Sequence, residues 1–259
     1  MPESDAASIV QRTSLVLDAF RTGRTSLGLS ELSRRTGLPK PTVHRLAGQL
    51  VEYGFLERHG TTYRLGVRLF ELGLRVPRSR VLREAALPFL EDLYVASAET
   101  VHLATRDGDD VMYLEKIRGH RSAATPSEIA GRMPLHSTAT GKSILAFSGS
   151  DEIEAYLSRP LRRVTPRTTV VASVLREQLD QTREFGWAVE REETLIGFVS
   201  VAAPVLIDGE TPVASLSVTG PLHRLDPVRF GPTVRTAARA LARVLGGGDS
   251  SPGGAAVRA

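Results

Sequence analysis

Three groups of residues in this sequence have the types needed for catalysis, but each group is incomplete. Gly141-Lys142-Ser143 is similar to the end of a nucleotide-binding P-loop, yet His136 stands where that motif requires its first glycine. No Gly-x-Ser-x-Gly elbow for a serine nucleophile occurs, and the six histidines lack paired metal-ligand spacing. The chain has no cysteine, which excludes thiolate catalysis, disulfides and cysteine-based zinc sites. We therefore expect no enzymatic activity, no metal and no cofactor.

Hydrogen bonding to nucleic acid is the chemistry that residues 40–51 favour. One face of this predicted helix is apolar at helical spacing: Val43, Leu46, Ala47, Leu50 and Val51. The other face carries hydrogen-bonding side chains: Lys40, Thr42, His44, Arg45 and Gln49. In a major groove Thr42, His44 and Arg45 would meet base edges, and Arg45 could bond guanine bidentately. The alternative is an ordinary solvated helix face.

The elements around this helix have the order of a winged helix-turn-helix. A first helix is predicted from Ser8 to about Arg21, and a second over Glu31–Thr36 with Ser30 as its N-cap and Gly37 at its end. Strands Phe55–Arg58 and Thr62–Leu65 follow, with His59-Gly60-Thr61 as the turn. In such a module the third helix enters the major groove and the hairpin reaches the backbone. Phosphate contacts are then expected from Lys40, Arg58, Thr61 and Arg64, and Ser30 is a further candidate DNA contact.

Net charge is concentrated in the same region. Residues 1–75 carry 11 Lys/Arg and 7 Asp/Glu, whereas residues 76–259 carry 22 of each. A local positive field suits phosphate binding, although four charges are also compatible with an ordinary solvated surface. No apolar run approaches the roughly 20 residues of a membrane span, and the N-terminus lacks the basic start and apolar core of a signal peptide. We expect a cytoplasmic protein without a membrane partner.

The remaining chain alternates strands and helices, which predicts a mixed sheet with helices packed on it. Helices are expected through residues 67–97, then over Thr138–Phe147, Asp151–Ser158, Ser173–Phe185 and Val228–Leu245. Strands are expected over Val101–Thr105, Val111–Lys116, Trp187–Glu190, Phe198–Ile207 and Val213–Thr219. Residues 247–259 are small and polar, which predicts a flexible tail. The fold class is therefore α+β with two domains.

Hydroxyl side chains alternate with apolar ones along two of these strands. Ser215, Ser217 and Thr219 point one way, and Leu216 and Val218 point the other. One interpretation is a one-sided sheet with a solvated hydroxyl face. The other is a pocket in which the hydroxyl groups bind a small polar ligand.

The sequence resembles the IclR-type regulators from about residue 8 to 245. Five blocks carry the resemblance: GLSELSRRTGLPKPTVHRLAGQLVEYGFL (28–56), YRLG (63–66), GRMPLHSTATGKSILA (131–146), REFGWAVEREETLIGFVSVAAPV (183–205) and ASLSVTGP (214–221). The resemblance implies a winged helix-turn-helix domain (8–66), linker helices (67–97) and a GAF-like effector-binding domain (98–246). It also implies a homodimer or dimer of dimers on palindromic double-stranded operators, acting as repressor or activator. Pro41 stands where serine is common in that family, which removes one possible phosphate contact.

The resemblance further implies an effector pocket between these strands and the loop before the helix at Thr138. By position, Ala139 and Thr140 would offer backbone amides, and Ser200, Ser217 and Thr219 would offer hydroxyl groups. Met133 would form an apolar wall, and Glu190 would stand at an acidic position of the pocket. The ligand is then a small organic or aromatic acid. An ionised Glu190 would repel such an anion, unless Glu190 is protonated or accepts a hydrogen bond from a ligand hydroxyl. The expected function is ligand-responsive control of a catabolic operon; the alternative is a ligand-binding or enzymatic domain whose winged helix makes protein contacts.

Overall fold

A computed structural model of the chain describes residues 8–21, 24–119 and 127–247. Two compact units are present, Met1–Pro77 and Arg78–Ala259. The predicted flexible tail lies almost entirely outside the described residues. No helix in the described part of the chain has both the length and the apolar character needed to cross a bilayer.

The first unit contains three helices, a small sheet and a further helix. In chain order these are α1 (Ile9–Asp18), β1 (Leu27–Gly28), α2 (Leu29–Thr36), α3 (Lys40–Glu52), β2 (Leu56–His59), β3 (Thr62–Leu65) and α4 (Val67–Gly73). The sheet has the order β1-β3-β2 with antiparallel pairs. Its hairpin turns through Gly60, whose φ of 58° lies in the left-handed region that glycine tolerates. This is the predicted winged arrangement.

The core of the first unit is the apolar face of α3. Val43, Leu46, Ala47 and Leu50 are all buried there against residues of α1, α2 and the sheet. The helix begins after Pro39 and carries proline in its first turn, where a missing N–H removes no helical hydrogen bond. Because this face packs inward at every turn, the polar face of α3 must point outward.

The predicted N-cap of α2 is wrong. The helix begins at Leu29 with Gly28 as its N-cap, so Ser30 lies inside the first turn. The reason is the short strand β1, in which Leu27 pairs with Tyr63 and is almost fully buried. That pairing keeps the backbone extended only as far as Gly28, and the helix starts immediately afterwards. Gly37, with φ of 69°, ends α2 as predicted.

The second unit is built on a six-stranded sheet. Its elements are α5 (Pro77–Ser97), β4 (Thr100–Asp107), β5 (Asp110–Ile117), β6 (Arg132–Pro134), a 3₁₀ turn (Leu135–Ser137), α6 (Ala139–Ala146), α7 (Ser150–Leu157), α8 (Ala172–Phe185), β7 (Ala188–Arg191), β8 (Phe198–Ile207), β9 (Thr211–Pro221) and α9 (Pro227–Gly247). The strand order is β6-β5-β4-β9-β8-β7. All five pairings are antiparallel, so the prediction of a mixed sheet is wrong in this respect. The three inserted helices α6 to α8 connect the two edge strands instead of forming crossovers between parallel neighbours.

Both faces of this sheet are covered. Helices α5 and α9 pack against its apolar face, which includes Leu216 and Val218. Helix α6 lies over the opposite face, where Ser143 Oγ is 2.8 Å from Ser215 Oγ. Ser215 and Ser217 are therefore buried, with 0% and 2% of their surface exposed. The interpretation of a solvated hydroxyl face is wrong, because α6 to α8 shield that side from water.

Candidate DNA-binding surface and effector pocket

The polar face of α3 is open to solvent. Lys40, His44 and Arg45 are exposed, and Thr42 is half-buried. Arg45 forms no ion pair with any described residue. A guanidinium group held on a rigid helix, with all five N–H donors available, can bond the O6 and N7 atoms of guanine.

The wing is the hairpin of β2 and β3, and its arginines are less free than Arg45 on α3. Thr61 is exposed at the turn, and Arg58 Nε donates to the Gly60 carbonyl at 3.2 Å, which holds that side chain near the tip. Arg64 is half-buried, and its Nε has no hydrogen-bond partner in the described part of the chain. Ser30 is exposed within the first turn of α2. All the predicted DNA contacts thus lie on the first unit with at least partial exposure, and their role in binding stays a prediction.

Hydrogen bonds fix α2 to the turn that leads into α3 and to the end of α1. Ser33 Oγ donates to the Leu38 carbonyl at 2.7 Å, and an Arg35 Nη donates to the Ala19 carbonyl at 2.8 Å. Hydrogen bonds from Arg34 and Arg35 lower the pKa of the Glu31 carboxyl to about 2. Glu31 therefore stays ionised and offsets one of the two positive charges of Arg34 and Arg35.

In the second unit, one small cavity brings together all seven residues predicted for the effector pocket. Its lining includes Met133, Ala139, Thr140, Glu190, Ser200, Ser217 and Thr219. Sequence reasoning missed seven further lining residues: His102, Tyr113, Ser127, Thr138, Thr194, Leu195 and Phe198. The cavity has a volume of about 20 Å³, which holds a single water. A ligand as large as an aromatic acid must therefore displace lining side chains when it enters.

The N-terminus of α6 forms one wall of this cavity. Thr138 caps the helix, because its hydroxyl accepts the Gly141 N–H at 3.0 Å and its carbonyl accepts the Lys142 N–H at 2.9 Å. The N–H groups of Ala139 and Thr140 have no acceptor among the described residues. Two free amides at the positive end of a helix dipole favour an anion.

A second group of donors and acceptors lies across the cavity. The Thr219 hydroxyl donates to Ser200 Oγ at 2.9 Å, and Ser200 donates to Glu190 Oε1 at 2.8 Å. Glu190 also accepts the Glu193 N–H at 2.9 Å and the Thr194 hydroxyl at 3.2 Å. Burial of this carboxyl, which is only 1% exposed, raises the pKa of Glu190 to about 7. Near neutral pH a large fraction of Glu190 is therefore protonated and uncharged.

His102 lies between the hydroxyl groups of two other lining residues. Its Nε2 is 2.8 Å from Ser127 Oγ, and its Nδ1 is 3.3 Å from Ser217 Oγ. Burial lowers the pKa of His102 to about 3, so the imidazole is neutral at physiological pH. His102 stands directly opposite Ser217 in the pairing of β4 with β9. If that pairing had been known, the alternation of Ser215, Ser217 and Thr219 would have identified His102 as a lining residue.

One hydroxyl group in the cavity is unsatisfied. Thr140 Oγ1 is buried and has no hydrogen-bond partner among the described residues. The Tyr113 hydroxyl contacts the Met133 sulfur at 3.7 Å, and burial raises the pKa of Tyr113 while its interaction with the Thr140 side chain lowers it by a smaller amount. A buried hydroxyl without a partner is costly, so Thr140 provides a further reason for a polar ligand at this wall.

The Gly-Lys-Ser sequence of α6 serves packing. A Cβ on Gly141 would lie 2.2 Å from the Leu135 carbonyl oxygen, so glycine allows the helix to contact the preceding 3₁₀ turn. Lys142 is fully buried and forms an ion pair with Glu193, which itself is 5% exposed. Lys142 therefore has a packing role in the interior of the second unit.

His136 also serves structure. Its Nε2 is 2.9 Å from the Arg162 carbonyl, and its Nδ1 is 2.9 Å from the Tyr156 hydroxyl. Nε2 must therefore carry the proton that the carbonyl accepts. Among the described residues, no group of three or more histidine, aspartate or glutamate side chains could hold a metal ion.

Comparison with known proteins agrees with both units. The family described as "IclR helix-turn-helix domain" matches residues 9–60, and "Bacterial transcriptional regulator IclR C-terminal" matches residues 75–243. The HTH-type transcriptional regulator XynR of Escherichia coli (strain K12) is 35% identical over 92% of this chain and 96% of its own. The glycerol operon regulatory protein of Streptomyces griseus is 34% identical over the same shares of 92% and 96%.

A solved structure extends the likeness to the whole fold. An IclR homolog from Microbacterium hydrocarbonoxydans, crystallised in complex with 4-hydroxybenzoate, has a TM-score of 0.84 and 31% identity to this chain. The match covers 92% of this chain and 100% of the other. With an exposed helix-turn-helix face in one unit and a polar cavity in the other, this chain belongs to the IclR family of bacterial transcriptional regulators.

Proposed function

We propose that this protein is a ligand-responsive regulator, repressor or activator, that binds a palindromic operator of a catabolic operon in the cytoplasm. We propose a small organic or aromatic acid as its effector. The observation that carries this proposal is the cavity in which the free amides of Ala139 and Thr140 face the hydroxyl groups of Ser200 and Thr219. The related protein crystallised with 4-hydroxybenzoate supports an aromatic carboxylate.

We propose a homodimer, or a dimer of dimers, as the DNA-binding form. Exposed apolar side chains on α1 and α4 support this proposal. Ile9 and Val10 on α1 are 54% and 70% exposed, and Val67 and Phe70 on α4 are 62% and 65% exposed. Apolar surface of this extent on a small module favours association. Two copies related by a two-fold axis would match the symmetry of a palindromic operator.

Regulation would follow from the closed shape of the cavity. A ligand that enters must move lining residues, so it stabilises an arrangement different from the empty one. If that arrangement binds the operator with a different affinity, ligand and DNA influence each other reciprocally. Glu190 would take part as the protonated acid, donating a hydrogen bond to the ligand or accepting one from a ligand hydroxyl.

The test is a titration of operator DNA with and without an aromatic acid. A duplex selected by the protein from random sequences is titrated at physiological salt, and 4-hydroxybenzoate is then added. We expect affinity at least about 10³-fold above that for random duplex, with a 5- to 150-fold change caused by the ligand. The neutral 4-hydroxybenzamide is the matched control. Affinity no better than for random duplex would favour the alternative, in which the winged helix makes only protein contacts.

The pH dependence of ligand binding tests the role of Glu190. An anion binds more favourably beside the protonated carboxyl, so binding is accompanied by proton uptake, and affinity falls as pH rises through about 7. We expect 4-hydroxybenzoate to bind up to about tenfold more weakly for each pH unit above that value. Glu190→Gln, which stays neutral, should remove the slope and keep the higher affinity, measured by calorimetry from pH 6 to 8. A slope that persists in Glu190→Gln would assign the proton to another group.

A further inference from the structure

A second concave site lies on the other side of β7 from the effector cavity. This groove, with a volume of about 660 Å³, is bordered by α8, the edge strand β7 and the start of α9. Small-molecule sites commonly have volumes of about 300–1,000 Å³, so the groove needs no rearrangement to admit a ligand. Along β7 the side chains alternate: Glu190 lines the cavity, whereas Val189 and Arg191 line the groove.

The groove has a positive charge at one end. Arg167 and Arg191 line it, and both side chains are exposed. Arg167 lies 3.9 Å from Glu192, at the limit of an ion pair, and Arg191 forms none with the described residues. Glu193 is the one carboxylate among the described lining residues, and its charge is committed to the buried Lys142. The Arg191 guanidinium is therefore available to a carboxylate, which arginine binds bidentately, and Arg167 is held only by a long contact with Glu192.

The same groove has an aromatic wall. The rings of Phe185 and Trp187 are stacked with centroids 5.5 Å apart, and Phe185 is 47% exposed. Trp187 is held in place from behind, because it rests on Gly231 and lies under the Arg235 guanidinium at 5.2 Å. A fixed aromatic surface in a groove that also contains arginines suits a flat ring with an acidic substituent.

The floor of the groove contains an unsatisfied polar atom. The Gln178 side-chain amide donates to Thr169 Oγ1 at 3.2 Å, but its Oε1 is buried without a hydrogen-bond partner among the described residues. If rotation of the Gln178 side chain turned this acceptor into the groove, it would suit a ligand that carries a hydroxyl group as well as a carboxylate.

We propose that this groove is an accessory binding site for aromatic hydroxy acids, distinct from the effector cavity. The carboxylate would be bound by Arg167 and Arg191, and the ring would lie against Phe185. The two sites share β7, and the Glu193 N–H donates to the Glu190 carboxyl at 2.9 Å. Occupancy of the groove should therefore change affinity in the cavity, and the reverse change must be equal.

The single tryptophan of the chain allows a direct test. Protein containing 5-fluorotryptophan has one ¹⁹F resonance, from position 187, which is followed while salicylate is added. We expect a saturable shift in the low-millimolar range or below, and a response at least about tenfold weaker to the neutral salicylamide. Arg167→Gln/Arg191→Gln should weaken salicylate binding by at least about tenfold.

Two controls separate this site from the cavity. Arg176→Gln removes the same kind of charge from α8 outside the groove, and the salicylate titration should stay unchanged. Ser200→Ala/Thr219→Ala removes cavity hydroxyl groups, and the ¹⁹F shift should again persist even if cavity binding is lost. The accessory site is refuted by an unsaturable shift, by equal responses to salicylate and salicylamide, by an unaffected Arg167→Gln/Arg191→Gln variant, or by loss of the shift in Ser200→Ala/Thr219→Ala.

Discussion

Lys142→Met should destabilise the second unit by about 3–5 kcal/mol, although the new side chain has a similar length and fits an apolar helix. The wild-type ammonium group is fully buried, and it is paired with a Glu193 carboxylate that also accepts the Thr169 N–H at 3.0 Å. Removing the lysine leaves a buried carboxylate with one neutral donor and no opposite charge from its former partner. The cost is therefore mainly the desolvation of Glu193.

A double variant distinguishes this mechanism from a packing defect. Lys142→Met/Glu193→Gln removes both charges and keeps an oxygen for the Thr169 N–H, so we expect it to recover at least half of the lost stability. Arg118→Met, which breaks the exposed ion pair with Glu128, is the control and should change stability by at most about 1 kcal/mol. Urea unfolding followed by Trp187 fluorescence reports on this unit. If the double variant is as unstable as Lys142→Met, the buried charge is not the cause.

The burial of Lys142 illustrates what the sequence could not reveal. Its partner Glu193 is 51 residues away, and neither residue belongs to a periodic pattern that predicts the pairing. The strand β8, in contrast, was predicted with both of its ends, Phe198 and Ile207. A mostly apolar run, broken only by Ser200, defines that strand, and Asp208-Gly209, both with positive φ, end it in a turn. Local sequence patterns were therefore sufficient to predict an element such as β8, whose own residues and following turn indicate where it lies.

Very short elements carried no such signal. Strand β1 has two residues and β6 has three, too few for any alternation to appear. Both matter for the sites: β1 moved the start of α2 away from Ser30, and β6 places Met133 in the cavity wall. They form because neighbouring strands offer backbone partners, which is a tertiary effect.

The cavity shows the same division between local and long-range information. The resemblance to the IclR-type regulators, carried over position by position, predicted seven of its lining residues, whereas the alternation along β9 by itself left a solvated face and a pocket as equal alternatives. His102 and Tyr113 were missed because a lone histidine or tyrosine in a buried strand does not differ from a core residue until the strand register is known. Nor could periodicity predict that the cavity is nearly closed, since its volume depends on side-chain packing.

Arg45→Ala should weaken binding to a selected operator by about 1–3 kcal/mol, which is a 5- to 150-fold loss at constant salt. Arg45 is exposed on the outer face of α3, and the buried Val43, Leu46 and Ala47 fix the direction of that face. Because a bidentate contact to guanine discriminates among bases, the loss should be much smaller on random duplex. Fluorescence anisotropy with both duplexes at one salt concentration measures the difference.

A matched control removes the same charge from another place. Arg239 is exposed on α9 of the second unit, so Arg239→Ala lowers net charge equally while leaving α3 unchanged. We expect Arg239→Ala to retain operator affinity, and Arg58→Ala at the wing to weaken both duplexes alike, because a phosphate contact does not depend on sequence. If Arg45→Ala instead lowers affinity for operator and random duplex by the same factor, Arg45 neutralises phosphate. The base-reading role of the α3 face would then have to come from Thr42 and His44.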